Sequence, residues 1–416
     1  MPTEVVPSPR KASLDAGQRE RAFDFVWDTI QERYYDPAFN GADWKAVAST
    51  YRPLAMKAFA DEAFWDVLDR MAGELRDSHT RVESPRQVAL RKLDQAVTLG
   101  FSFAPIQGVL GVTAVNTDSD AWWAGVRAGM VLETIAGENA LTAYERLLAG
   151  TRYASTDRAR HMRAVRRLVS GETGTRVQFG FRRGDGSRFE ASIGRNLVTY
   201  RPTAFHRVLP SGFGYLRLTQ WTVGVIPRAM EALGALKNSP GIVIDLRGNP
   251  GGSLHAVNAM LGKFFSQPKE LGRVLTRTGK PVALLFGAVE IIKLKSTVEG
   301  DPDAYRGPVV ILVNAGSGSG SEFFAATMQA SGRAVVAGEP SCGCLLGFLG
   351  YARVPGGAEL AYSEVGFVMS NGKRIEGEGV IPDHLIPLAL PDLQANRDQA
   401  LEQAQEILRN LPQSTK

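Results

Sequence analysis

Two short runs of consecutive apolar residues, Ile242-Val243-Ile244 and Val309-Val310-Ile311-Leu312-Val313, each run into a glycine-rich turn and then into an apolar helical pattern. A strand with no polar alternate is buried on both faces, and such strands separated by helices form largely parallel sheets. The alternation starts after residue 196, with strands expected at 214–218, 241–246, 309–313 and 334–337. Helices are expected near 227–236, at 253–265 and up to Ala330. An α/β core of mixed sheet and helices is therefore expected over 198–416. Ligands of such sheets bind beyond the carboxyl ends of the strands, and both glycine-rich turns lie at such ends.

The second turn reads Ser317-Gly318-Ser319-Gly320-Ser321-Glu322 and places a small hydroxyl where a helix begins. Unpaired N–H groups at a helix start, with the positive end of its dipole, stabilise negative charge developing beside a serine Oγ. A plain serine N-cap in a glycine-rich turn fits the same residues. The first turn, Asp245-Leu246-Arg247-Gly248-Asn249-Pro250-Gly251-Gly252, has paired glycines that let backbone approach a ligand and present N–H groups to an anion.

Elsewhere the period changes. Phe23, Val26, Trp27, Ile30 and Tyr34 fall at helical spacing, as do Phe64, Val67, Leu68, Met71 and Leu75, so 22–90 reads as a helical unit behind a polar segment, 1–21. Its second strong helix is expected to end at Arg76, and Asp77-Ser78-His79-Thr80 reads as the turn leaving it. Residues 91–197 read as a β-rich module, with short strands at 99–103, 109–115 and 177–181. Residues 273–306 read as an insertion that could act as a lid.

The chain has 416 residues, with 48 Lys and Arg against 43 Asp and Glu, a net charge of +5 spread along its length. Nucleic acid is not implied. The densest basic run, Arg152, Arg158, Arg160, Arg163, Arg166 and Arg167, reads as a solvated helix face. No apolar stretch is long enough to span a membrane, and no secretory leader is visible. Cys342 and Cys344 are one residue apart, which makes a strained disulfide and argues against one; two ligands alone also make a poor zinc site. No metal or other cofactor is expected.

Taken together with Gly338-Glu339-Pro340, the two turns resemble those of the tail-specific, or C-terminal-processing, serine peptidases, a family that includes the tricorn core protease. The resemblance runs roughly from Phe23 to Pro387. It implies a ClpP/crotonase-like core, a peptide or protein substrate, Ser319 as nucleophile, and the N–H groups of Gly251 and Gly320 as the oxyanion hole. Gly100-Phe101-Ser102-Phe103 resembles the carboxylate-binding loop of a PDZ domain, which holds a peptide by strand addition. Residues 119–132 resemble its later stretch. A homo-oligomer is left open. Relatives commonly act in the cell envelope or outside it, so a periplasmic or secreted location is suspected despite the absent leader.

One departure matters. Most such relatives use a lysine base in an F-G-K-G stretch, and Cys344 stands in the lysine position, read here as a small inert filler; Phe348 stands where a glutamine is frequent. The tricorn branch uses a Ser-His pair and a glutamate before G-V-x-P-D. Here these are Ser78, His79 and Glu376, with Glu378 a competitor for the acid. A histidine titrating near neutrality takes the Ser319 proton while Glu376 and Ser78 orient its ring. A packing histidine at a helix end is the plainer reading of His79. His255 is expected near the site, whereas His161, His206 and His384 read as ordinary residues. The leading expectation is a serine endopeptidase acting on peptides or unfolded tails. The alternative is an inactive homologue that binds C-terminal peptides as a scaffold.

Overall fold

The computed structural model describes residues 13–284 and 289–412. The first part of the expected polar segment and the centre of the expected insertion lie outside these residues.

The core is a six-stranded sheet in the order Ala204–Val208, Gly214–Leu218, Ile242–Asp245, Val309–Val313, Val335–Gly338 and His384–Leu385. The first pair is antiparallel and every other pairing is parallel. Alternate side chains go to opposite faces of a strand, and that period sorts the two apolar runs cleanly. Ile242, Ile244, Val309, Ile311 and Val313 pack beneath the helices Ile226–Ala235, Leu254–Gly262 and Gly320–Ala330. Val243, Val310 and Leu312 face the helix Gln399–Asn410 through Leu401, Ala404 and Leu408. The parallel register sets Asp245 beside Leu312, so the two glycine-rich turns leave the sheet side by side.

A second sheet, in the order Lys295–Val298, Lys269–Thr276, Val365–Met369 and Leu346–Gly347, stands over the carboxyl ends of the core strands. Much of the segment expected as an insertion therefore builds a wall.

The N-terminal unit has a helix the apolar spacing does not reveal, Trp44–Met56, between Ala16–Arg33 and Asp61–Gly73. The last ends before Arg76, with turn residues following. The short strand Arg81–Glu83 then pairs with Glu359–Ala361, and Leu346, Val354, Leu360 and Tyr362 share the unit's apolar core. This pairing carries the 77–80 turn to the catalytic core across 240 residues of chain.

The middle module orders Phe101–Ile106, Val109–Val115, Val131–Ile135, Arg176–Arg182 and Arg188–Gly194 in one sheet around Phe101, Phe179 and Phe181. Its helix Asp157–Val169 turns Ala164, Val165 and Leu168 to that core. No helix among the described residues is long and apolar enough to cross a membrane.

Candidate active site

Ser319 occupies the N-cap position of the helix Gly320–Ala330, yet its backbone is not that of an ordinary cap. Its φ of 51° and ψ of −115° lie where side-chain-bearing residues are strained, by roughly 1–3 kcal/mol. The surroundings hold it there. Ser317 donates its Oγ–H to Leu246 O at 2.8 Å and Gly318 N–H donates to Asn249 O at 3.0 Å, tying the two turns together. Ser319 N–H is shared between Cys344 O (3.0 Å) and Glu322 Oε2 (2.9 Å).

Glu322 organises this half of the site. Fully buried, it also accepts from Ser341 Oγ (2.5 Å), Gly343 N (2.6 Å) and Cys344 N (2.9 Å). Burial pushes its carboxyl up to about 7, against four donors that pull it down. Its place at the third helical position after Ser319 is the sequence signal for a carboxylate that reaches back to the cap.

His79 comes from the other end of the chain, and its Nε2 lies 3.2 Å from Ser319 Oγ. Asp77 accepts the His79 backbone N–H at 2.7 Å, and also Thr80 Oγ–H (2.5 Å) and Ser363 Oγ–H (2.6 Å). Ser78 and Ser155 pair reciprocally, N–H to Oγ, at 2.9 and 3.1 Å. Arg152 is buried and reaches Asp69 (2.6 Å), Asp77 O (3.0 Å) and Thr80 O (2.7 Å). Phe348 covers the imidazole, with ring centres 6.2 Å apart. Burial, then the nearby Arg81 and Arg163, pushes the His79 pKa down to about 4, with Asp77 opposing. The ring is thus neutral near pH 7, well below the titration expected from the sequence.

Glu376 makes no hydrogen bond to His79 among the described residues. Its Oε2 accepts from Leu345 N at 2.6 Å and it bonds the Ser155 side chain, which links it to Ser78. His79 Nδ1 and Glu376 Oε1 are both buried with no partner among the described residues. Glu378 is exposed and away from the imidazole, its carbonyl held by Arg158.

The oxyanion expectation changes at one position. Gly251 N–H is committed to Asn249 Oδ1 at 3.0 Å, because Asn249 Nδ2 donates to Leu218 O and fixes the amide. Gly251, at φ 98°, serves close packing instead: a Cβ there would lie 2.7 Å from Ser319 Cβ and from Gly320 N. The neighbouring parallel bridge to Trp221 uses Gly251 O and Ser253 N–H, which leaves Gly252 N–H out of it.

Two cysteine expectations are also corrected. Cys342 and Cys344 are joined as a disulfide with Cα atoms 5.3 Å apart, so Cys344 is not a free filler. A left-handed turn at Gly343, at φ 73°, brings the two side chains together. The basic run is not a solvated face either. Besides Arg152, Arg158 donates to Ser341 O (2.9 Å) and Arg163 to Ser78 O (2.9 Å), binding the middle module to both halves of the site. His255 is exposed and lines neither cavity at Ser319. His161 bonds Tyr144, and His206 and His384 are exposed on edge strands.

Two cavities meet at Ser319. One, about 620 Å³, has an apolar floor that includes Phe323, Leu345, Val365 and Phe367. The other, about 640 Å³, lies over the His79 turn. A neutral imidazole against a strained serine hydroxyl, between two clefts and beside free N–H groups, can transfer an acyl group.

The model of peptidase family S41 matches residues 212–386, and that of the tricorn protease C1 domain matches residues 16–73. Residues 212–386 thus form a domain of the peptidase family S41 type. The chain is similar to tricorn protease homolog 1 of Streptomyces coelicolor, 24% identical with 96% of this chain and 38% of that protein covered. It is similar too to the carboxyl-terminal-processing protease of a Picosynechococcus strain, 26% identical with 89% of this chain and 86% of that protein covered. Among solved structures it shares the fold of mature CPAF, with a TM-score of 0.69 at 16% identity over 94% of this chain and 97% of that one. The chain spans between a third and two-fifths of the tricorn homologues it matches, 33% and 38% of their lengths.

Proposed function

We propose that this chain hydrolyses peptide bonds in peptides or unfolded protein tails, with Ser319 as nucleophile and His79 as general base. The observation that carries the reading is the 3.2 Å contact between His79 Nε2 and Ser319 Oγ, made without any lysine. His79 takes the hydroxyl proton as Ser319 attacks, then returns it to the departing amine; water releases the acyl-enzyme with the same groups. Gly320 N–H at the helix start and Gly252 N–H hold the oxyanion, with Gly251 giving way to its neighbour. Glu376 acts through Ser155 and Ser78 as a positioning residue.

The middle module takes the PDZ part. Phe101–Ile106 is an edge strand paired only with Val109–Val115, and it has the helix Asp157–Val169 alongside. A peptide would add to that edge beyond Gly100, Phe101, Ser102 and Phe103. Phe101 and Phe103 themselves are buried in the module's core.

The test is labelling with a fluorophosphonate probe alongside turnover of a peptide library. Wild-type protein is expected to label and cleave, while Ser319→Ala abolishes both and His79→Ala lowers both by about a thousandfold. Equal, negligible labelling and cleavage in all three proteins would overturn the reading.

A further inference from the structure

We propose that the Cys342–Cys344 disulfide is a thiol-exchange site on the wall of the catalytic cavity, where a low-molecular-weight thiol of tripeptide size opens the bridge and is left attached to Cys344. The consequence, reversible occlusion of Ser319, rests on the peptidase reading above; formation of the adduct does not.

The bridge combines lability with access. It joins cysteines two positions apart; a bridge across a single residue is strained, and strained bridges are the exchangeable ones. Both cysteines are shielded from bulk solvent, yet both line the cavity of about 640 Å³ that contains Ser319 and His79. Cavities of that volume accommodate small ligands. The pair also flanks the nucleophile turn, since a Cβ at Gly318 would lie 3.5 Å from Cys342 Cβ and 3.6 Å from Cys344 Sγ.

The surroundings give the two sulfurs different roles. Cys342 packs with Ala154, Ala159 and Met162 at the start of the helix Asp157–Val169, and its carbonyl accepts the Oγ–H of the N-cap residue Thr156. Arg163 and Arg166 line the same cavity. A helix start and nearby guanidinium groups favour a thiolate, which makes Cys342 the leaving group. The incoming thiolate attacks Cys344 Sγ and forms a new S–S bond there. The Cys342–Cys344 bond breaks, and its electron pair departs on Cys342 as thiolate. Attack by Cys342 on Cys344 Sγ reverses the step, restoring the bridge and expelling the small thiolate.

The loop does not depend on its sulfurs. Cys344 O accepts Ser319 N–H, Gly343 N and Cys344 N donate to Glu322, and Cys342 N donates to Ser317 O. Opening the bridge therefore leaves the nucleophile turn standing. Only a group attached to Cys344, projecting into the cavity beside Ser319, excludes the substrate.

The test uses glutathione as the thiol, with adducts located by mass spectrometry and Ser319 followed by fluorophosphonate labelling. Wild-type protein given reduced glutathione under native conditions, then alkylated rapidly, is expected to carry glutathione on Cys344 and the alkyl group on Cys342. Cys342→Ser removes the resolving thiol. With oxidised glutathione its Cys344 thiolate expels one glutathione thiolate and keeps the other half, so labelling and peptide cleavage should fall in proportion to the fraction modified. Dithiothreitol should restore both. Cys344→Ser treated in the same way should keep its labelling. Dithiothreitol alone, which cyclises and leaves no adduct, should open the wild-type bridge with labelling retained. A wild-type bridge that neither reagent opens in the folded protein overturns the proposal. So does an adduct on Cys344 that leaves labelling unchanged, or a loss of labelling with dithiothreitol alone. An adduct on Cys344 in a protein that cleaves no peptide supports the exchange site and removes the peptidase reading, whereas cleavage with no adduct removes the exchange site alone.

Discussion

The two halves of the proposed catalytic pair are held by different kinds of structure. Ser319 sits on a turn fixed within the core alone, by its own stretch of chain and the next loop through Glu322, Ser341 and Cys344, and by the first glycine-rich turn through Leu246 O and Asn249 O. His79 sits on a turn fixed by its own unit through Asp69 and Asp77 and by two distant segments: Ser363 from the core, and Arg152, Ser155 and Arg163 from the middle module. The proposed nucleophile is therefore built within one unit, while the proposed base depends on the assembly of the whole chain.

The largest effects should come from removing the central residue of each half. Glu322→Ala leaves three buried donors unsatisfied, each at a cost of about 1–3 kcal/mol. It is expected to lower the melting temperature by ten degrees or more and to abolish labelling of Ser319. Arg152→Ala removes a buried cation from Asp69 and from the carbonyls of Asp77 and Thr80. It is expected to cost about 3 kcal/mol in stability and to lower kcat by more than tenfold with little change in KM. Thermal melts and single-turnover kinetics read both. If Arg152→Ala leaves kcat at the wild-type level, the base half is not held by the middle module.

The difference between the halves also decides what was legible in the sequence. The core strands and both glycine-rich turns were readable because each is a contiguous signal: apolar runs sorted by a period of two, and glycines where Cβ atoms would collide with Ser319 or Trp221. Ser319 stood out as a candidate from its turn at a helix start, whereas His79 was named only through motif resemblance, since nothing local says that Arg81–Glu83 pairs with Glu359–Ala361. Arg152, Ser155 and Arg163 were invisible as site residues. A basic helix exposed on paper looks solvated, and only tertiary packing buries one stripe against another unit. Gly251 misled because Asn249 is two residues away, close enough for its side chain to take the N–H.

A smaller, graded effect comes from titration, and its sign differs between the halves. His79 has a folded value of about 4 against about 6.5 unfolded, so the unfolded chain binds more protons and stability falls as pH drops from 6.5 towards 4. Glu322, raised to about 7, works the other way: its contribution is full below the ordinary carboxylate value and is lost as pH rises through about 7. Glu376, raised by burial and by Asp77, adds to the Glu322 direction. Melting temperature followed from pH 4.5 to 7 should therefore fall more steeply with rising pH in His79→Ala than in wild type, and less steeply in Glu322→Gln. Parallel curves in all three proteins would show that neither group titrates as its surroundings demand. For activity, a ring that stays neutral down to about 4 predicts kcat/KM level across pH 6–8, with its acid limb near 4 and not near 6.5.

The smallest expected effect concerns the position where most relatives are expected to carry a lysine. The backbone of Cys344, not its sulfur, serves Ser319: its carbonyl accepts Ser319 N–H and its N–H donates to Glu322. Cys342 N–H is likewise held by Ser317 O at 2.9 Å, and Thr156 Oγ–H donates to Cys342 O at 2.5 Å. Closing a loop of three residues contributes only about 1.6 kcal/mol by chain entropy. Replacing both cysteines by serine, or reducing the pair with dithiothreitol, should therefore lower the melting temperature by a few degrees and keep Ser319 labelling within about threefold of wild type. A loss of labelling on reduction, reversed on reoxidation, would move the 341–344 loop from scaffold to switch. It would also make the nucleophile half as dependent on a distant condition as the base half is on Arg152.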